Sequence, residues 1–163
     1  TNERLSTTIL GRIQWKDFRD QGDINNSPED RDAVNAFVGV TERIYLAPRL
    51  ELWLGALLDT EDCDGDNWDY YGYTCHSGVR IRLLADIEMT ALMQYQDRIY
   101  RNQHSFFGRR RRDHEYTTSL ALRWRVKPRL SIYCEYLHDR NDSNVAVYDY
   151  VRNVYSTGIS FTF

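Results

Sequence analysis

Apolar and polar residues alternate one by one along most of the chain, and this feature most restricts the fold. Between 5 and 16, for example, Leu5, Ile9 and Ile13 fall on one side of an extended strand, and Arg12 and Lys16 fall on the other. A helix would instead repeat its apolar residues at three- and four-residue spacing. The alternation recurs in eight segments, near 5–16, 34–46, 50–59, 73–83, 87–98, 115–126, 130–136 and 155–163. The pattern therefore predicts eight β-strands in a single all-β domain covering residues 1–163.

The connections between these segments alternate between short and long. Tight turns are predicted at Ala47-Pro48-Arg49, Ala85-Asp86 and Lys127-Pro128-Arg129. Long polar loops are predicted at 18–32, 60–72, 101–114 and 139–150. This asymmetry is typical of bacterial outer-membrane barrels, whose short turns are periplasmic and whose long loops are extracellular. We therefore predict an antiparallel up-and-down transmembrane β-barrel with eight strands in this chain, either complete or part of a larger barrel, with both termini periplasmic.

A soluble β-sandwich or a lipocalin-like barrel would also alternate, and a mean hydropathy of −0.64 suits a soluble protein. Two features favour the membrane. Many strands have about ten residues, which suits a tilted membrane crossing better than the usual five or six. Aromatic residues also lie near strand ends, as they do in the interfacial girdles of outer-membrane barrels; these are Trp15, Tyr45, Tyr73, Tyr95, Tyr116, Trp124 and Tyr136.

Several classes of protein are disfavoured by what the sequence lacks. It contains no apolar run of about 18 residues, which a membrane-spanning helix would need. The net charge of −3 gives no general case for binding nucleic acid. A signal peptide, which an outer-membrane protein needs, is not visible at Thr1. We therefore expect the numbering to begin after a cleavage site or partway through a longer chain.

Charged residues recur on the side of the strands that would face the lumen. The bases are Arg12, Arg43, Arg80, Arg82, Arg98, Arg123 and Arg125, and the acids are Glu51, Glu88 and Glu135. A narrow eight-stranded barrel is filled by side chains, so its charges must be paired. A water-filled basic lumen would instead favour anionic solutes or polymers. Both interpretations stay open at this point: an Arg–Glu network that stiffens a closed core, or a hydrated pathway.

Two of the predicted loops have unusual composition. Arg109, Arg110, Arg111 and Arg112 form a basic cluster that could bind lipopolysaccharide phosphates, since arginine pairs with phosphate through two parallel hydrogen bonds; a solvated loop is the plainer interpretation. The other loop is acidic and is a weak calcium candidate through Asp62, Asp64, Asp66 and Asp69, although the spacing differs from that of an EF-hand.

The cysteines and histidines suggest little chemistry. Cys63 and Cys75 flank the acidic loop and are candidates for a disulfide, because the cell envelope is oxidising. His76 and Ser77 are adjacent, and adjacent strand residues point to opposite faces, so they cannot form a catalytic pair with each other. We expect no cofactor and no catalytic residues, and hence no enzyme.

The C-terminal segment carries a family resemblance. Tyr148-Asp149-Tyr150, followed by the run from Tyr155 to Phe163, resembles the closing hairpin of outer-membrane barrels that follow tetratricopeptide-type periplasmic domains. Such barrels include those of surface-lipoprotein-assembly-modifier-like proteins and of exopolysaccharide exporters. The resemblance covers about the last two strands and implies a signal for the barrel assembly machinery, formed by Tyr155, Ile159, Phe161 and Phe163.

Together these features predict a non-enzymatic outer-membrane barrel for export, permeation or surface assembly, with an anionic solute or polymer favoured. The alternatives are a small packed barrel that recognises partners through its loops and, third, a lipid-modifying enzyme. The expected partners are outer-membrane lipid and lipopolysaccharide, the barrel assembly machinery and other envelope or export subunits. Nucleic acid is not among them.

Overall fold

The computed structural model describes residues 4–18, 27–83 and 86–162. Eight strands make up nearly all of these residues, because period-two alternation lets an extended chain place its polar and apolar side chains on opposite faces. The strands are β1 (Leu5–Lys16), β2 (Ala33–Ala47), β3 (Leu50–Cys63), β4 (Tyr70–Arg82), β5 (Ile87–Gln103), β6 (Arg110–Lys127), β7 (Leu130–Ser143) and β8 (Tyr150–Phe161). A short 3₁₀ helix, Ala146–Tyr148, precedes β8. The predicted all-β fold and its eight strands are confirmed.

All eight strands lie in one antiparallel sheet in the order β1-β2-β3-β4-β5-β6-β7-β8. Each strand pairs with the next in sequence, which is the predicted up-and-down order. In the described residues β1 and β8 form the two edges of this sheet and do not pair with each other. Closure into a barrel and insertion into a membrane therefore stay predictions.

Two of the tight turns are built in the same way. The β2–β3 turn contains Pro48 and Arg49, the β6–β7 turn contains Pro128 and Arg129, and each is preceded by a register shift in its hairpin. Proline fixes its own φ near the value that the second residue of a turn needs, which favours chain reversal at both places. The third turn includes Asp86, whose φ is 73°, a backbone conformation that Asp tolerates better than most residues.

Two of the long loops, 60–72 and 101–114, are shorter in the structure than the sequence predicted. The predicted loop 101–114 is reduced to the segment between Gln103 and Arg110, and 60–72 to the segment between Cys63 and Tyr70. The prediction was wrong at these boundaries because both strand faces are polar there, so the contrast that marks a strand disappears while its backbone pairing continues.

The sheet has little apolar core among the described residues. The buried hydrophobic residues are Ala33, Tyr100 and Val145, whereas the most deeply buried side chains are the carboxylates of Asp97 and Asp113. Burial is therefore concentrated at the long-loop end of the sheet and is achieved there by polar contacts. Among the described residues no helix is both long and apolar enough to span a bilayer.

Candidate functional site

One face of the sheet is apolar and open to its surroundings. Ile9 is 76% exposed, Met93 is 63% exposed and Ile159 is 71% exposed, and all three share this apolar face with other aliphatic residues. Soluble monomers seldom expose a continuous apolar surface of this extent, because each Å² of apolar area kept in water costs about 25 cal/mol. The apolar face therefore needs a covering. The residues of the implied assembly signal, Tyr155, Ile159 and Phe161, lie on it, and Phe163 lies outside the described residues.

A row of tyrosines marks the border of the apolar face towards the long loops. Tyr95 is 6.0 Å from Tyr73 and 5.1 Å from Tyr116 between ring centroids. Tyr136 and Tyr155 continue the row on β7 and β8, with centroids 5.0 Å apart. Rings that are apolar in the body and polar at the hydroxyl suit a boundary between an apolar layer and water.

The opposite, polar face carries a chain of ion pairs that crosses β2 to β5. The Glu51 carboxylate lies 3.0 Å from Arg43 Nε and 3.2 Å from Arg80 Nη1. Arg80 Nε lies 3.5 Å from Glu88, and Arg82 Nε lies 3.7 Å from the same carboxylate. Five of the predicted lumen residues are thus brought together in one network.

The other predicted lumen residues are placed on the same face but outside this network. The Arg12 guanidinium lies over the Phe37 ring at 4.7 Å, and Arg98 Nη1 lies 3.4 Å from Glu115. Arg125 makes a long, exposed pair with Asp86 at 3.7 Å. Within the described residues, Arg123 and Glu135 make no ion pair.

At the long-loop end the four loops are tied to one another. The amide of Asn67 donates to Glu29 at 2.7 Å and to Ser105 at 2.8 Å, so one side chain joins the first three loops. The Asn144 amide donates to the carbonyl of Arg110 at 2.8 Å and adds the fourth. We call the loop cluster the set formed by these residues and the side chains around Arg111 at the same end, namely Glu29, Asn67, Trp68, Tyr100, His104, Ser105, Arg111, Asp113, Asn144 and Tyr148.

Arg111 is the centre of the loop cluster. Its guanidinium lies 3.4 Å from the Tyr148 ring and 4.4 Å from the Tyr100 ring, and its Nε donates to Asp113 at 3.0 Å. The Tyr148 hydroxyl lies 3.0 Å from His104 Nε2, and the Tyr148 ring meets Trp68 edge-on.

The predicted four-arginine cluster is divided by strand alternation. Arg111 is buried in the loop cluster, and Arg112 turns to the apolar-face side, where it binds the Asp97 carboxylate through Nε at 3.1 Å and Nη2 at 2.6 Å. Arg109 and Arg110 are exposed. These four residues therefore do not form a single basic surface, because the charges of Arg111 and Arg112 are already paired with Asp113 and Asp97.

The short-turn end differs in its charge. Two adjoining cavities of about 580 and 420 Å³ lie there and share Arg49 and Arg82 in their walls. Six arginines line the two cavities, which we call the basic trough: Arg4, Arg49, Arg80, Arg82, Arg123 and Arg125. Glu51, Asp86 and Glu88 are the acids of the same walls, so the trough carries a positive surplus.

The predicted Cys63–Cys75 disulfide does not form in this structure, in which both thiols are free. Cys75 pairs with Ala56 on β3, seven residues before Cys63, which places the two about 23 Å apart along the strand. A disulfide needs Cα atoms within about 7 Å. Burial, followed by the nearby Glu61 and Asp69 charges, raises the pKa of the Cys63 thiol to about 12.

The four predicted calcium ligands are not brought together either. Asp69 accepts a hydrogen bond from the Cys63 backbone N–H, Asp62 pairs with Arg101 at 3.5 Å, and Asp66 accepts from Asn102. Asp64 instead lies with Asp30 and Asp32, their carboxylate oxygens all within 4.8 Å of one another. The sequence did not associate these residues, because they come from different loops.

His76 and Ser77 lie on opposite faces of β4, as expected for adjacent strand residues. His76 Nε2 lies 3.1 Å from the Thr41 hydroxyl on the polar face, and its ring packs over Gly55, where a Cβ would come within 2.6 Å of it. Ser77 is paired in register with Leu54.

Sequence reasoning missed two acids of the polar face, Glu61 and Asp113. Glu61 binds Lys16 at 2.5 Å. Asp139, on the same face, binds Arg152 at 2.7 Å and accepts a hydrogen bond from Thr117. Asp113 is the partner of the buried Arg111. Glu61 and Asp113 had been assigned to loops, and continued alternation past the apolar part of each strand was the signal that could have found them.

Comparison with known proteins identifies the family. The profile of the surface lipoprotein assembly modifier family matches residues 4–163. Neither the curated proteins nor the solved structures gave a match. The matched range includes all eight strands, both faces of the sheet and both of its ends. The chain therefore belongs to the surface lipoprotein assembly modifier family.

Proposed function

We propose that this chain forms an outer-membrane β-barrel, alone or with further strands, that serves the assembly of lipoproteins on the cell surface without catalysing a reaction. The observation that carries the proposal is the division of one up-and-down sheet into an exposed apolar face and an ion-paired polar face. Lipid would cover the apolar face, and the polar face would line the interior, as in outer-membrane barrels. The family match supplies the assembly role.

The proposal also gives the two ends their locations. The short turns would lie in the periplasm and the long loops outside the cell, with β1 starting and β8 ending on the periplasmic side. Lipopolysaccharide, outer-membrane lipid, the barrel assembly machinery and other envelope subunits would be the partners. The exposed Arg109 and Arg110 would face lipopolysaccharide phosphates.

Neighbouring residues of β6 test the membrane part of the proposal. Leu120 is 46% exposed on the apolar face, and Ser119 lies on the polar face. In lipid vesicles we expect Leu120→Arg to lower the free energy of unfolding by about 2–4 kcal/mol and Ser119→Arg to change it far less. Urea titration of the refolded protein, followed by tryptophan fluorescence, measures both. Equal losses, or a smaller loss for Leu120→Arg, would contradict a lipid-facing surface.

Surface assembly is tested in cells. A lipid-anchored reporter is co-expressed with the protein, and its surface exposure is measured by protease accessibility on intact cells. We expect exposure to require the protein and to be lost with Leu120→Arg but kept with Ser119→Arg. Unchanged exposure without the protein would reject the assembly role.

The loop cluster favours one second candidate, a packed barrel that acts through its loops. Arg111, Asn67 and Asn144 tie the loops over one end of the sheet, and the Glu51 network joins strands across the polar face. Conductance in a planar bilayer distinguishes a barrel with an open interior from a packed barrel. We expect an open interior to conduct ions and a packed barrel to give no conductance.

A further inference from the structure

We infer that the basic trough at the short-turn end binds an extended acidic segment of polypeptide. The two cavities share Arg49 and Arg82 and form a continuous row of arginines against three acids. Treating it as the side where cargo arrives rests on the proposed function, whereas binding to the folded chain does not.

Five of the six arginines of the trough are weakly engaged by the protein itself, and the sixth, Arg80, belongs to the Glu51 network. Within the described residues, Arg4, Arg49 and Arg123 make no ion pair. Two ion pairs lie within the wall of the second cavity, Arg82–Glu88 and Arg125–Asp86. The N–O distance is 3.7 Å in both. Long, exposed pairs of this kind contribute little to stability, so an incoming carboxylate can replace them at small cost. These five arginines thus offer charge that the fold does not need.

The dimensions of the trough match an extended chain. It runs from Arg4, just before β1, to Arg125 on β6, which are five strand spacings apart, or about 24 Å at 4.8 Å each. An extended peptide advances about 3.4 Å per residue, so about seven residues span this distance. A single phosphate would occupy only one of the two cavities.

The position of the trough favours a polypeptide over a lipid head group. The side chains of Arg80, Arg82 and Arg123 belong to the polar face, and the acids Glu51 and Glu88 lie beside them on that face. Most exposed aliphatic residues that would contact lipid lie on the other face, and among the residues lining the trough Leu46 and Leu83 are the exposed large aliphatic ones. A carboxylate-bearing strand can lie along the polar face, and arginine binds a carboxylate through a planar pair of hydrogen bonds.

Fluorescence anisotropy of a labelled eight-residue peptide with alternating Ser and Glu tests the inference. The full chain, folded in zwitterionic detergent, is titrated against it at low salt. We expect saturable binding that Arg49→Gln/Arg123→Gln weakens at least tenfold, and at least tenfold weaker binding of the Ser-Gln peptide. The matched control, Arg101→Gln/Arg140→Gln, removes the same charge from two exposed arginines at the long-loop end, which pair with Asp62 and Asp142, and is expected to change the dissociation constant less than twofold. Heat-modifiable migration in electrophoresis checks that each variant is folded.

Three results would overturn the inference. Equal loss in both double variants would indicate attraction by net charge alone. Displacement of the peptide by inorganic phosphate at an equal concentration of charge would indicate a simple anion site, and displacement by anionic phospholipid added to the micelles would indicate a lipid site. The peptide-binding assay needs neither a membrane nor cargo transport. A negative result in it therefore does not affect the vesicle and surface-exposure tests, and negative results in those tests do not affect the peptide-binding result.

Discussion

The two ends of the sheet differ in how their charged side chains are buried and paired. At the long-loop end Asp113 and Asp97 are each 1% exposed and are bound by Arg111 and Arg112. At the short-turn end most arginines are exposed, and the pairs Arg82–Glu88 and Arg125–Asp86 are 3.7 Å long. A buried charge must be paired to be tolerated, whereas an exposed charge is free to meet a ligand. The charges of the loop end are thus committed to contacts within the protein, whereas most of those at the turn end remain accessible.

The largest expected difference between the ends comes from removing one carboxylate charge at each. Asp113→Asn leaves Arg111 buried and uncompensated, which costs about 3–5 kcal/mol in comparable cases. Asp86→Asn removes the partner of the exposed Arg125, where about 0–1 kcal/mol is expected. Asn also tolerates the positive φ of this position. The free energy of unfolding in detergent measures both, and similar values at the two ends would break the comparison.

A smaller effect is expected from untying the loops. Asn67→Ala removes the amide that joins Glu29 and Ser105, and the loss of buried hydrogen bonds costs about 1–3 kcal/mol. Faster hydrogen exchange is expected in the loop cluster and not at the β2–β3 turn. Asn153→Ala, on the exposed surface of β8, serves as the control. Unchanged exchange in the loop cluster would argue that its aromatic contacts alone hold it.

The smallest effect is expected at the turns. Pro48→Ala and Pro128→Ala each restore freedom to the unfolded chain, which lowers the free energy of unfolding by about 0.4–1 kcal/mol. Because the two turns share their sequence pattern and register shift, the two losses are expected to agree. Denaturant titration of each variant measures them. A loss above about 2 kcal/mol at either turn would mean that the turn end depends on more than backbone preference.

Strand number, order and faces were predictable because alternation of period two fixes which side each residue occupies. Arg43, Arg80 and Glu51 were assigned to one face on this ground, and they meet there. What could not be predicted depends on contacts between distant segments. The approach of Asp64 to Asp30 and the tying of Asn67 to Ser105 follow from loop packing, which leaves no periodic trace. The strand ends near Gln103 and Arg110 were missed because both of their faces are polar.

The tyrosine row also indicates how far the strands are inclined. The strand register leads from Tyr155 on β8 across β7, β6 and β5 to Val79 on β4. Val79 lies six residues further along β4 than Tyr73, the member of the tyrosine row on that strand. If the tyrosine rings lie at one depth in the membrane, an offset of six residues along the strands across four strand-to-strand spacings corresponds to strands inclined by roughly 45°. That is the inclination found in outer-membrane barrels. At this slope a strand of 12 residues, the length of β1 and β8, rises by about 28 Å, close to the thickness of a bilayer's hydrocarbon layer.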